Sequence, residues 1–297
     1  MNSRLLGYIC GAAAGIFYGL NPLFGLRLYS EGVGVMPLLF YRFLFATILM
    51  AGYMLLTGKS FRVPRKILPA LLIEGVLLAL TCITLFASFK CISSSVATTV
   101  LYTYPVVMAI VMSAFFGEKL TLPVVSGIVL ACGGVALICL NGQDSYNLPG
   151  ILYAFASGVL YVAYIVFIKQ TSLRRLSSES VTFYSMLIGD IVFLLFLRGG
   201  YDLQAIPSLS AFGNLMGLAL FTAMLSFLCL AVSTRCIGET ITSVLGALEP
   251  VTAVIIGVTV FDEPAGIRLF AGVVMVIVAV SAVALFQKSD KRISERE

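Results

Sequence analysis

FASFKCISSSVATTVLYTYPVVMAIVMSAFFGE, residues 86–118, can be laid on AVSTRCIGETITSVLGALEPVTAVIIGVTVFDE, residues 231–263, at a constant offset of 145. Eight positions are then identical: Ser88/Ser233, Cys91/Cys236, Ile92/Ile237, Pro105/Pro250, Val106/Val251, Ile110/Ile255, Phe116/Phe261 and Glu118/Glu263. An offset of about half the chain marks a duplicated unit, and duplicated membrane units commonly build transporters. The first apolar stretches of the halves agree too, at an offset of 143. There Tyr18 falls on Tyr161, and the stripe Gly7, Gly11, Gly15, Gly19 falls on Gly150, Ala154, Gly158, Val162. Small residues at four-residue spacing let helix backbones approach closely in lipid.

Of the 297 residues, 60% are apolar and only 11% charged, with a mean hydropathy of +1.06. A soluble domain carries about 25% charged residues. Too little charge is available for a water-compatible surface, so the lipid bilayer is the main solvent. The net charge of +5 is spread over loop ends and tails, and no basic run interleaves with aromatics, so no nucleic-acid partner is expected. The chain has no histidine, which removes the commonest general base, proton relay and metal ligand. The seven cysteines (10, 82, 91, 132, 139, 229, 236) include no CxxC pair. They read as small core residues, not as disulfides or metal ligands. No GxxxxGK[ST] loop is present. No catalytic centre, metal or cofactor is expected.

Charge-poor runs near the ~20 residues needed to cross ~30 Å of hydrocarbon number ten. They lie at approximately 5–26, 36–57, 68–89, 95–116, 122–140, 148–168, 180–198, 211–231, 240–261 and 267–287. The first continues unbroken by charge to Leu26 and reads as a span, not a cleaved leader. Backbone groups in lipid must be satisfied within their own segment, so these are helices; strand alternation is absent, which excludes a barrel. Alternate loops then divide the basic residues unequally. One set holds Arg4, Lys59, Arg62, Arg65, Lys66, Lys119, Lys169, Arg174, Arg175, Arg235, Lys288, Lys291, Arg292 and Arg296; the other holds Arg27, Lys90, Arg198 and Arg268. Fourteen against four puts both termini in the cytoplasm of a multi-pass protein of the plasma (inner) membrane. The expected fold is therefore an all-α membrane protein of ten transmembrane helices. Its halves are 5–140 and 148–287, each with five helices, followed by a charged cytoplasmic tail at 288–297. Five is odd, so equivalent elements enter the membrane from opposite sides: Lys90 faces outward and its counterpart Arg235 inward. That is an inverted repeat.

Lys90-Cys91-Ile92, Tyr104-Pro105-Val106, Phe116-Gly117-Glu118-Lys119-Leu120 and Ser126-Gly127 in one half answer to Arg235-Cys236-Ile237, Glu249-Pro250-Val251, Phe261-Asp262-Glu263 and Ala271-Gly272 in the other. With ten spans in two halves, this pattern resembles the EamA branch of the drug/metabolite transporter superfamily over nearly the whole chain. The resemblance implies a carrier of small metabolites, often an exporter, with a central cavity lined by the first four helices of each half. It also implies that the fifth helices, 122–140 and 267–287, are peripheral.

An ionisable side chain deep in a span costs at least ~2.5–3.5 kcal/mol on insertion scales and is a functional hypothesis by default. Glu249 lies about ten residues, roughly 15 Å, into its span, at the midplane where inverted-repeat carriers bind substrate. Pro250 follows it and should free the carbonyl of Gly246. Glu249 could bind an ammonium group, carry a proton, or be a structural carboxyl held by Thr252 or Ser243. Asp190 is as deep, and could be a second substrate carboxylate, a proton-coupling group or an arginine partner, or equally a carboxyl hydrogen-bonded to a hydroxyl or Asn in the protein interior. Arg42 sits nearer the outer edge; it either snorkels outward or binds a carboxylate. Glu74 is as shallow from the cytoplasmic side. Asn21-Pro22 interrupts the first span, exposing carbonyls or only kinking it. Tyr18, Tyr102, Tyr104, Tyr161 and Tyr164 lie at cavity depth, where aromatics can line a site or simply pack. Glu118 and Glu263, at turns, should support helix starts, and Ser93-Ser94-Ser95 is a helix N-terminus able to hold an anion. The substrate-binding set is thus Glu249, Tyr104, Asp190, Arg42, Asn21, Tyr18 and Tyr161, with Glu249 and Asp190 able to couple protons. The expectation is a carrier, not an enzyme, working by alternating access as a monomer or homodimer on a small molecule such as an amino acid. The alternative is a non-transporting membrane protein, a lipid-modifying enzyme or an assembly partner.

Overall fold

The computed structural model describes residues 3–117, 122–139, 147–237, 242 and 245–294. Glu118 and Ser243 lie outside them, as does the end of the tail. The described residues are helical and contain no strand. Seven helical stretches are long and apolar enough to cross a membrane: Ser3–Ser30, Val35–Leu56, Arg65–Ser88, Ser94–Phe116, Leu148–Ile168, Ser178–Phe196 and Leu209–Ile237. Three shorter apolar helices, Val125–Leu137, Leu248–Val260 and Ile267–Ala279, fall within the remaining apolar runs.

Three of the long stretches are interrupted. Asn21-Pro22 divides the first into α1 (Ser3–Gly19) and α2 (Asn21–Ser30), because proline lacks the donor that would continue the ladder. After α3 (Val35–Leu56) and α4 (Leu68–Ser88), the next stretch splits at Tyr102–Thr103 into α5 (Ser94–Leu101) and α6 (Tyr104–Phe116). Then come α7 (Leu122–Cys139), α8 (Leu148–Gln170), α9 (Ser178–Phe196), α10 (Leu209–Gly217) and α11 (Ser226–Ile237). Between α10 and α11 the chain widens into a π-helical segment, Leu218–Leu225. The last elements are α12 (Leu248–Val260) and α13 (Ile267–Ser294).

α12 is preceded by a turn at Gly246–Ala247, one residue further ahead of Pro250 than Tyr102–Thr103 is ahead of Pro105. The proline does not leave the Gly246 carbonyl free as expected. The turn tightens instead, and the Glu249 N–H takes that carbonyl at 2.9 Å.

Glycines set the packing. A Cβ on Gly7 would lie 2.7 Å from Cβ of Cys236, and one on Gly19 would lie 2.6 Å from Cβ of Thr252. α1 therefore lies directly against α11 and α12. In the same way a Cβ on Gly150 would lie 2.7 Å from Cβ of Cys91, so α8 lies against α4 and α5. Hydrogen bonds repeat the relation: Ser226 Oγ donates to the Ala14 carbonyl at 3.0 Å, and Ser157 Oγ to the Thr81 carbonyl at 2.9 Å. α3 and α9 pack on each other, with Phe43 and Phe193 edge to face at 5.1 Å. α7 and α13 form a separate close pair, where a Cβ on Gly134 would lie 2.9 Å from the Gly272 carbonyl. Their other faces expose Val129, Ile267 and Val274, as a lipid-facing surface requires.

Candidate functional site

Pro105 and Pro250 stand at the starts of α6 and α12 and place Tyr104 and Glu249 in their first turns. Glu249 is 8% exposed, and its Oε1 has no hydrogen-bond partner. Thr252 does not hold it: its hydroxyl is committed to the Leu248 carbonyl at 2.7 Å. Tyr18, Tyr102, Tyr104 and Tyr161 all stand within electrostatic reach of the carboxyl.

These phenols form one packed set. Tyr104 meets Tyr161 edge to face at 4.9 Å and Tyr102 at 5.9 Å, and Tyr161 stacks on Tyr164 at 5.8 Å. Tyr18 approaches from α1, with Phe227 beside it at 6.3 Å. Tyr18, Tyr104, Tyr161 and Tyr164 are surrounded by protein yet keep part of their surface accessible, as side chains lining an internal cavity do.

Arg42 does not snorkel. It is 1% exposed, donates from Nη2 to the Thr222 carbonyl at 3.3 Å, and lies over the Phe86 and Phe43 rings at 5.3 and 5.7 Å. Thr222 belongs to the π-helical segment. Such segments displace backbone groups from regular bonding and are frequent at functional sites. The Nε and Nη1 of Arg42 have no hydrogen-bond partner, and Cys82 and Tyr18 are among its neighbours. Among the described residues no acid pairs with it.

Asn21 is buried at the start of α2 with both amide atoms unpartnered. Asp190 stands apart from the Glu249 group. Its Oδ2 accepts from Thr47 Oγ1 at 3.4 Å across the α3–α9 contact, and its Oδ1 has no partner. Glu74 is wholly buried in α4, where Oε1 accepts from Ser185 Oγ at 2.5 Å, Tyr164 adjoins the carboxyl, and Oε2 is unpartnered. The structure thus gathers Glu249, Tyr18, Tyr104 and Tyr161 into one cluster, with Arg42 within electrostatic reach of Tyr18. Asp190 is elsewhere. Thr222, Ser185 and Thr47 were not singled out by the sequence, because each acts through pairing with a residue far along the chain.

Both ends of the bundle are tied. Glu263 accepts from the Ser94 N–H and hydroxyl at 2.7 Å each, from the Ser95 N–H at 3.1 Å and from the Ser95 hydroxyl. The anion at that helix N-terminus is therefore the protein's own carboxylate. At the opposite end, Glu179 pairs with Lys59 at 3.0 Å and Arg235 at 3.6 Å. Cys10 and Cys229 line a cleft beside this ion pair.

The chain belongs to the EamA-like transporter family, whose model matches residues 5–140 and 148–285. It is a multi-pass membrane transporter. It is 27% identical over 256 residues to the uncharacterized transporter YdfC of Bacillus subtilis (strain 168), covering 85% of this chain and 83% of that one. To the uncharacterized inner membrane transporter YedA of Escherichia coli (strain K12) it is 25% identical over 249 residues, covering 82% and 81%. A crystal structure shares the fold with a TM-score of 0.71 at 17% identity, over 96% of this chain and 99% of that chain.

Proposed function

We propose that this protein exports a small zwitterionic metabolite such as an amino acid across the plasma membrane by alternating access. The observation that carries the reading is the buried carboxyl of Glu249, its Oε1 without a partner, at the start of α12 among tyrosines. An uncompensated charge in such a place is costly, so it requires a proton or a cationic ligand. A substrate ammonium satisfies it, and the phenol rings of Tyr18, Tyr104 and Tyr161 add cation–π attraction. The free guanidinium nitrogens of Arg42 offer donors to a substrate carboxylate.

The scaffold for this motion is ten spans arranged as two inverted five-helix repeats, 5–140 and 148–287, with both termini cytoplasmic. The distribution of basic residues and the recurrence of the α1 and α8 contacts at offsets of 143 and 145 support it. Glu249 would alternate between a proton and the substrate in proton-coupled transport, or bind the substrate alone in facilitative transport.

The test is counterflow in proteoliposomes loaded with a panel of radiolabelled amino acids and organic cations. Wild-type protein should exchange a subset of amino acids. Glu249→Gln should reduce that exchange by about tenfold or more, the worth of one lost charge-assisted contact. Full exchange by the variant would reduce Glu249 to a structural residue.

A further inference from the structure

Among the described residues Glu74 is the one wholly buried acid that the proposed substrate site does not use, and its surroundings connect it to that site. Tyr164 adjoins Glu74 and stacks on Tyr161, whose planes differ by 12°; Tyr161 in turn meets Tyr104, within reach of Glu249. A continuous row of phenols therefore joins the two carboxyls. The offset of 143 sharpens the contrast between the halves: it lays Asn21 on Tyr164 and Arg42 on Ser185. One half thus places a buried cation where the other places a hydroxyl that binds an acid.

Nothing charged reaches Glu74 among the described residues. From α8 it faces Tyr164, and from α9 Ser185, with Asp190 further along that helix held by Thr47. From α3 the nearest cation, Arg42, is engaged with Thr222 and Phe86, and α5 carries no titratable side chain. Arg65, Lys66 and Arg175 are exposed. They are separated from Glu74 by the apolar cluster of Ile67, Leu71, Leu173 and Ile188. A carboxyl so enclosed, with Oε2 unpartnered, is suited to hold a proton and not a hydrated ion.

We propose that Glu74 is a second proton-carrying site, on the cytoplasmic side, which exchanges its proton with Glu249 through the Tyr164–Tyr161 pair. In each transfer a phenol gives its hydroxyl proton to one neighbour as it takes one from the other, so a single proton moves and no electrons do. The proposal rests on Glu249 as the midplane site.

The experiment is infrared spectroscopy of the carboxyl C=O stretch in reconstituted protein after a switch to D2O. Glu249→Gln and Glu74→Gln should each remove one band. In Glu74→Gln and in Tyr164→Phe, which leaves both acids in place, deuterium should reach Glu249 about tenfold more slowly or worse than in the wild type. A Glu249 band that exchanges at the wild-type rate in both variants overturns the proposal. So does the absence of any band that Glu249→Gln removes. Counterflow, measured separately, reports on the transport reading whichever way the infrared result falls.

Discussion

Thr47 and Asp190 hydrogen-bond to each other at 3.4 Å and stand 143 residues apart, the same offset that lays Tyr18 on Tyr161. Two equivalent positions that touch one another lie where the halves meet, so this bond crosses the contact between α3 and α9. One copy has a hydroxyl there and the other a carboxyl. Removing the donor strands a buried acceptor, which costs about 1–3 kcal/mol. Thr47→Val should therefore lower stability by that amount in thermal unfolding in detergent. Thr47→Ser, which keeps the hydroxyl, should stay closer to the wild type, and equal losses in both variants would mean that the methyl group matters more than the bond.

The glycine face of α1 predicts a graded series. A Cβ on Gly7 or Gly19 collides with Cys236 or Thr252, whereas one on Gly52 or Gly213 meets nothing within 4 Å. Overpacking of this kind costs about 1–3 kcal/mol. Gly7→Ala and Gly19→Ala should reduce stability accordingly. Gly52→Ala and Gly213→Ala should be neutral or slightly stabilising, since alanine is the better helix former. Fluorescence-detected melting of the four variants side by side checks the order.

Glu263 serves as a remote cap, with four bonds to Ser94 and Ser95. Loss of a helix cap costs about 0.5–2 kcal/mol. Glu263→Ala should thus raise the hydrogen exchange of amides at the start of α5 while leaving those of α4 unchanged. Uniform loss of protection across both helices would instead indicate global destabilisation.

Lys59 and Arg235 converge on Glu179, and the cleft beside them contains Cys10 and Cys229. A partly exposed ion pair is worth only about 0–1 kcal/mol, enough to bias a conformational equilibrium but not to hold the fold. Glu179→Gln should therefore leave the melting temperature nearly unchanged and increase maleimide labelling of Cys10 and Cys229 by about two- to fivefold, the population change that such an energy permits. Labelling at the wild-type level would show that the ion pair does not guard the cleft.

Arg42 binds through geometry that lysine lacks: a flat guanidinium over Phe86 with one nitrogen on the Thr222 carbonyl. Arg42→Lys should raise the half-saturating concentration of a transported amino acid about tenfold, and that of its decarboxylated amine far less. Equal effects on both would place Arg42 outside substrate recognition.

The ten apolar runs, the break at Asn21-Pro22 and the glycine stripe were legible in the sequence because each is a local pattern of polarity or backbone chemistry. Glu249 stood out for the same reason, as a lone charge beside a proline in an apolar run. What could not be read is what each pattern meets. The stripe announces a close approach but not that Cys236, Leu245 and Thr252 are what it approaches. Asp190 and Glu249 look alike in sequence, both about ten residues into a span, yet only Glu249 sits among the tyrosines; depth is one coordinate, and rotation about the helix axis is another. The π-helical segment at Leu218–Leu225 left no mark, since an all-apolar stretch carries no periodicity from which a change of pitch could be read.

The packing of α1 has a consequence for how the chain is built. Its glycine face is made more than 200 residues ahead of the surfaces that cover it, Cys236 and the turn before α12. Until then that face is left to lipid or to transient neighbours, and the contact that completes the bundle spans most of the polypeptide. Contacts of such long separation form slowly. Maturation of this transporter should accordingly be limited by the return of its first helix, and a nascent chain that stops short of α11 will hold α1 without its partner.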